Sequence, residues 1–261
     1  MKNERENRLG EENLNNQGCL MKIVEYNNSH DITVEFQDEY KAKIINVQYN
    51  SFLLGEVKNP YFPSICNVGM IGCKYPSKVN RKITPEYKAW ASMLHRCFDK
   101  TVKTKQPSYK NSTCCDEWLL FDNFYEWLHL QSNFDKWLNG YRWAMDKDIL
   151  NKGNKIYSPE NCCLVPQYVN CLFTKRDCNR GSLPIGVCKH GKSFQAYCNN
   201  PLVNKIEHLG TFKTPEESFY LGYKPYKEEI IKQVAEIEYS QGNITKQCYN
   251  AMMNYEVEIT D

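Results

Sequence analysis

The chain has 261 residues, enough for two or three small domains, and 41% of them are apolar, enough to build cores. It contains no run of about 18 apolar residues, so no membrane span is expected, and its polar, mixed-charge start MKNERENRLGEENLNNQG leads us to expect no signal peptide. The formal net charge of +2 by itself implies no polyanion, and thirteen cysteines without a CxxC pair read as small reduced thiols in a cytoplasmic protein, with no zinc expected.

Residues 1–16 are polar and Asn/Glu-rich and are expected to be disordered. A hairpin follows: Met21 and Ile23, then Ile32, Val34 and Phe36, alternate with polar residues around the turn Asn27-Asn28-Ser29-His30. A third apolar run from Ile44 to Leu54 ends at Gly55, which completes a small β-unit over 17–73 that suits interaction with another protein. Lys74 to Lys82 reads as a basic linker. Thr84 and Pro85 then open a helix with Tyr87, Trp90, Ala91, Leu94, Cys97 and Phe98 on its apolar face. The polar, basic loop 101–113 leads to a second helix that buries Trp118, Phe121, Phe124, Tyr125 and Leu128; His95 reads as a surface or boundary residue and His129 as structural.

Charge is unevenly distributed. Lys74–Lys110 holds ten Lys/Arg against two acids, a net of +8, and Lys175–Lys213 holds seven against two, a net of +5. Lys227–Asp261 holds three Lys against seven acids, a net of −4. Two basic blocks with an acidic tail suit a protein that holds a polyanion along part of its length.

The segment Met145–Asn170, MDKDILNKGNKIYSPENCCLVPQYVN, has an acidic strand end, a Gly-Asn turn, a Ser-Pro-Glu-Asn-Cys stretch, a short apolar strand and a helix carrying Asn170. It resembles the HNH, or His-Me finger, nuclease motif of phage homing-endonuclease-like proteins. The resemblance implies a ββα finger around one Mg²⁺ or Mn²⁺ ion, with Asp146 and Asn170 as metal ligands and Asn161 as the residue that orients the base. Lys147 stands where the family has its general-base histidine. A lysine of pKa about 10.4 is protonated at neutral pH, and loss of a general base costs about 10²–10⁴ in rate. Asp148 is the alternative base or ligand.

Leu183–Glu236 holds a first strand at Ile185-Gly186-Val187 and a turn at His190-Gly191-Lys192, then strands over Ser193–Asn199 and Lys205–Phe212. A helix capped by Thr214-Pro215-Glu216-Glu217 follows, which Gly222 interrupts and Pro225 should kink. Gly186-Val187, Phe194, Ala196, Leu209-Gly210-Thr211-Phe212 and Thr214-Pro215-Glu216-Glu217 make this segment resemble the ethylene-response-factor (APETALA-type) DNA-binding domain. That resemblance implies a sheet lying in the major groove of double-stranded DNA, with Lys189, His190, Lys192, Phe194, Tyr197, Asn199, Lys205 and His208 facing the duplex. Two features depart from the family: Phe194 stands for its usual Trp, and the arginines of its sheet are nearly absent.

The expected fold class is α+β, with a small N-terminal β-unit, a central helical domain with a ββα finger over 74–178 and a three-stranded sheet packed on a helix over 179–238. An acidic tail over 239–261, with a weak helical stripe of Cys248, Ala251, Met252 and Tyr255, completes the chain; the stripe suits either docking back on the core or pairing between protomers. The expected function is duplex-DNA binding with HNH-like nicking or cleavage in a bacterial host cell. The alternative is a nuclease-inactive DNA-binding regulator, or a phage host-interaction or counter-defence protein that meets a host protein through the N-terminal β-unit. RNA binding is a third reading; it requires exposed stacking aromatics, for which only Phe194 and Tyr197 qualify.

Overall fold

The computed structural model describes residues 8–140, 142–174 and 181–261. The fold class is α+β, and the chain divides into two compact units, Met1–Leu128 and His129–Asp261. The division runs through the segment 74–178 that the sequence suggested as one domain.

In the first unit, strands β1 (Glu12–Leu14), β2 (Leu20–Asn28), β3 (Asp31–Phe36) and β4 (Lys43–Val47) form an antiparallel sheet in that order. Alternation places Met21, Ile23, Ile32, Val34 and Phe36 on one face, where they are fully buried with Phe52 of α1 (Tyr49–Leu53). The expected disorder of 1–16 is corrected for residues 12–14, while residues 1–7 lie outside the described residues. The asparagines that suggested disorder instead satisfy backbone carbonyls: Asn13 Nδ2 donates to Phe52 O (2.8 Å) and Asn15 Nδ2 to Val57 O (2.9 Å). The apolar run Ile44–Leu54 divides between the end of β4 and α1.

The basic segment expected as a linker forms a two-stranded hairpin, β5 (Lys78–Val79) with β6 (Lys82–Ile83). Thr84 then caps α2 (Pro85–Phe98), its side chain accepting from Tyr87 N. Trp90, Met93 and Leu94 of α2 are fully buried, as are Phe121, Phe124 and Leu128 of α4 (Phe121–His129). Part of the expected loop 101–113 is helical, because Asp99 caps α3 (Lys100–Lys105) through Thr101 N and Val102 N.

The second unit begins with α5 (Phe134–Asn139). The finger follows: β7 (Trp143–Asp146) pairs antiparallel with β8 (Cys163–Pro166), and α6 (Gln167–Leu172) comes next. The sheet β9 (Val187–His190), β10 (Ser193–Asn200), β11 (Lys205–Phe212) is antiparallel in chain order. The first of these strands starts two residues later than Ile185, because Gly186 (φ +74°) turns the chain there. A Cβ at that position would lie 2.0 Å from the Tyr223 ring.

Pro225 does not break the helix. After the capped turn Pro215–Glu217, a π-helical stretch Ser218–Tyr223 leads into α7 (Lys224–Ser240), with Pro225 in its first turn, where its missing N–H is tolerated. The acidic tail docks on the core: α8 (Lys246–Met253) buries Cys248 and Met252, and Val257 is buried beyond it. Finger, sheet, α7 and α8 share one core, which includes Val165, Val169, Ala196, Cys198, Val234 and Met252. The finger and the C-terminal sheet are therefore parts of one body rather than successive domains. No helix among the described residues is long and apolar enough to cross a membrane.

Candidate nucleic-acid interface and finger site

The two faces of the β9–β11 sheet differ in chemistry. Val187, Ala196 and Cys198 are buried against the helices. Register places Cys188, Gln195 and Thr211 on the opposite face, and beyond a bulge between Ala196 and Tyr197 it adds the pairs Tyr197–His208 and Asn199–Ile206. These outward side chains form a connected row: Gln195 Nε2 donates to Thr211 Oγ1 (3.3 Å), and Tyr197 OH donates to Gln195 Oε1 (2.9 Å). The Tyr197 and His208 rings lie 5.0 Å apart. The row is polar and aromatic and offers donors, acceptors and a π-face together.

Of the eight expected duplex-facing residues, register brings His190, Tyr197, Asn199 and His208 onto this outward face. Phe194 lies on the other face, opposite Phe212, and packs against the core. Its expected place toward the duplex is therefore corrected. Lys189 pairs with Phe194 and Lys205 with Asn200, so both belong to the helix-side face but are exposed at the sheet's ends. Lys205 Nζ also sits 3.6 Å from Glu207. Lys192 is exposed in the β9–β10 turn. The sequence reading missed Gln195 and Thr211. Of the second basic block, residues 175–180, with Lys175, Arg176 and Arg180, lie outside the described residues.

In the finger, Asp146 ends β7, and its Oδ1 accepts from Asp148 N (2.6 Å) and Ile149 N (2.7 Å), which turns the chain into the long loop before β8. Burial raises its pKa above the ordinary carboxylate value, and the two backbone bonds only partly oppose this. Asn161 Nδ2 donates to Ser158 Oγ (2.9 Å), and its Oδ1 accepts from Asn151 Nδ2 (2.7 Å), so Asn161 ties the loop to itself. Asn170 is half-buried on α6. The Asp146 carboxylate and the Asn170 amide are hard oxygen donors on two elements of one finger, the donor type that Mg²⁺ and Mn²⁺ prefer. No group of three His, Cys, Asp or Glu side chains converges among the described residues.

Lys147 is buried. Its Nζ donates to Asp148 Oδ1 (2.7 Å) and Asn154 O (3.3 Å) and lies 5.6 Å from the Tyr157 ring centre. Asn154 Nδ2 answers to Lys147 O (2.8 Å). Lys147 and Asp148 therefore pair with each other. A cavity of about 850 Å³ lies beside the finger, lined in part by Trp143, Gln167, Tyr168 and Glu238, but not by Asp146 or Asn170. Tyr168 OH is committed to Glu238 Oε1 (2.5 Å) and Lys136 Nζ to Asn243 Oδ1 (2.9 Å), so these polar groups already have protein partners.

Comparison with models of protein families, with curated proteins and with solved structures found no match to this chain.

Proposed function

We propose that the chain binds double-stranded DNA through the outward face of the β9–β11 sheet, and that the ββα finger on the same core meets a phosphate of that duplex. The observation that carries the reading is the row Thr211–Gln195–Tyr197–His208, a polar-aromatic surface on a sheet backed by a helix, with Lys189, Lys192 and Lys205 exposed at the ends of that sheet. Side chains on such a surface suit base edges, while the lysines suit phosphates and set register without reading sequence. A two-stranded or wider β-surface fits the major groove, which is about 12 Å across.

In the finger, Asp146 and Asn170 would hold the divalent ion, whose chemistry is to stabilise charge on the scissile phosphate. Lys147, held by Asp148, is positioned to brace the loop rather than to accept a proton. This favours a second reading, in which the finger binds phosphate without cutting and the protein acts as a regulator or meets a host protein through its N-terminal sheet.

The test is to incubate the protein with supercoiled plasmid and Mg²⁺ or Mn²⁺, beside Asp146→Ala. Duplex binding predicts retarded plasmid in both samples. Nicking by wild type alone marks the finger as a nuclease; retardation without nicking supports the second reading. Plasmid neither retarded nor cut would rule out the duplex-binding proposal.

A further inference from the structure

The Lys78–Ile83 hairpin has no part in the site described above. Asn80 and Arg81 form its two-residue turn with φ of +49° and +63°, the left-handed pair of a type I′ turn. Glycine is the favoured residue at the second of these positions; this chain carries arginine there. Every residue from Lys78 to Ile83 is exposed, including Val79 and Ile83. The base is fixed: Thr84 N donates to Ser77 O (3.1 Å), and buried Asp122 accepts from the backbone N–H groups of Cys73, Lys74 and Tyr75.

The charges are arranged in three directions. Register pairs Lys78 with Ile83 and Val79 with Lys82, so each face of the ribbon carries one lysine and one aliphatic side chain, with Arg81 at the tip. Among the described residues no hydrogen bond or ion pair engages these three cations, whereas neighbouring Lys74 pairs with Glu126 (3.0 Å). The two acids of the basic stretch 74–110 are committed elsewhere: Glu86 is buried, and Asp99 caps α3 and faces His95. A ribbon with a cation on each face and one at its tip suits a groove with phosphates on both walls better than a flat surface.

We propose that the Lys78–Ile83 hairpin is a second duplex-DNA contact, separate from the C-terminal sheet, which enters a groove and holds phosphates with Lys78, Arg81 and Lys82. The proposal rests on the duplex-binding reading above.

The test is a salt titration of binding to a mixed-sequence duplex by the full chain, by Lys78→Ala/Arg81→Ala/Lys82→Ala and by Lys189→Ala/Lys192→Ala. Each lost phosphate contact lowers the slope of log K against log[salt] by about 0.9, so the hairpin variant should lose up to about 2.7. Arg81→Gly provides a second readout. It relaxes the left-handed backbone and removes the tip charge, so thermal stability should hold or rise while the slope falls by about 0.9. An unchanged slope in both hairpin variants, with wild type still binding, would overturn the hairpin contact alone. A changed slope in the hairpin variant but not in Lys189→Ala/Lys192→Ala would support the hairpin and count against the C-terminal lysines. Absence of binding by wild type would overturn both. If the hairpin variant lost binding to anionic vesicles and kept its DNA slope, the hairpin would be a lipid contact and the proposal would fail.

Discussion

At the residue scale, the charge on Asp146 sits where the fold disfavours it. Burial raises its carboxyl above the ordinary value, so the folded state holds the proton more tightly than the unfolded chain does. The stabilisation from this group is then fully present below the unfolded pKa and is lost as pH rises through the folded one. Asp146→Asn keeps an oxygen for the Asp148 and Ile149 amides and removes the charge. Its melting temperature at neutral pH should match or exceed that of wild type, with the difference vanishing near about pH 3. A loss at neutral pH that vanishes in acid would mean that the backbone bonds to the carboxylate outweigh its burial. Lys147 shows the converse: its ion pair and carbonyl bond give it a structural role within the loop.

At the element scale, the contact between helix and sheet depends on Gly222. A Cβ there would lie 2.7 Å from the Ala196 Cβ and 3.0 Å from the Phe212 ring. Alanine would gain about 1 kcal/mol in helix propensity, but overpacking costs about 1–3 kcal/mol. The Ala196 Cβ is fixed to the backbone and cannot swing away, so overpacking should win. Gly222→Ala should lower the urea midpoint, by roughly 1 kcal/mol of stability; a raised midpoint would show that the helix can retreat without loss. Much of this element was legible in the sequence. The strands β10 and β11 and the Thr214 cap follow from turn residues and capping chemistry, and the ββα order of the finger is what the family resemblance implies. Phe194 could also have been placed correctly, since it stands three residues before Tyr197 and a regular strand cannot show both on one face. The bulge beside Tyr197 was not legible; it lets His208 and Thr211 share a face although they too are three apart. The Lys78–Ile83 hairpin was hidden for two reasons: its strands are two residues long, and its turn lacks the glycine that signals such turns.

At the scale of the whole molecule, local patterns could not show that residues on the finger, the sheet and the last helix share a core. Cys163 Sγ of the finger lies 3.9 Å from Cys248 Sγ of α8, in a contact between residues 85 positions apart. Finger and sheet belong to one packed body, so Asp146 and the outward face of the sheet keep a fixed relation to each other. The N-terminal sheet has a core of its own.

The central claim is that the outward face of the sheet holds the duplex. The most direct measurement is fluorescence anisotropy of a labelled mixed-sequence duplex with wild type, with Tyr197→Ala/His208→Ala from the outward face and with Cys198→Ala from the inward face as a folding control. The account predicts salt-sensitive binding by wild type, a loss of about tenfold or more in the outward-face variant, as for about 1.4 kcal/mol, and near-wild-type affinity in folded Cys198→Ala. Equal affinity in wild type and the outward-face variant, both folded, would contradict it.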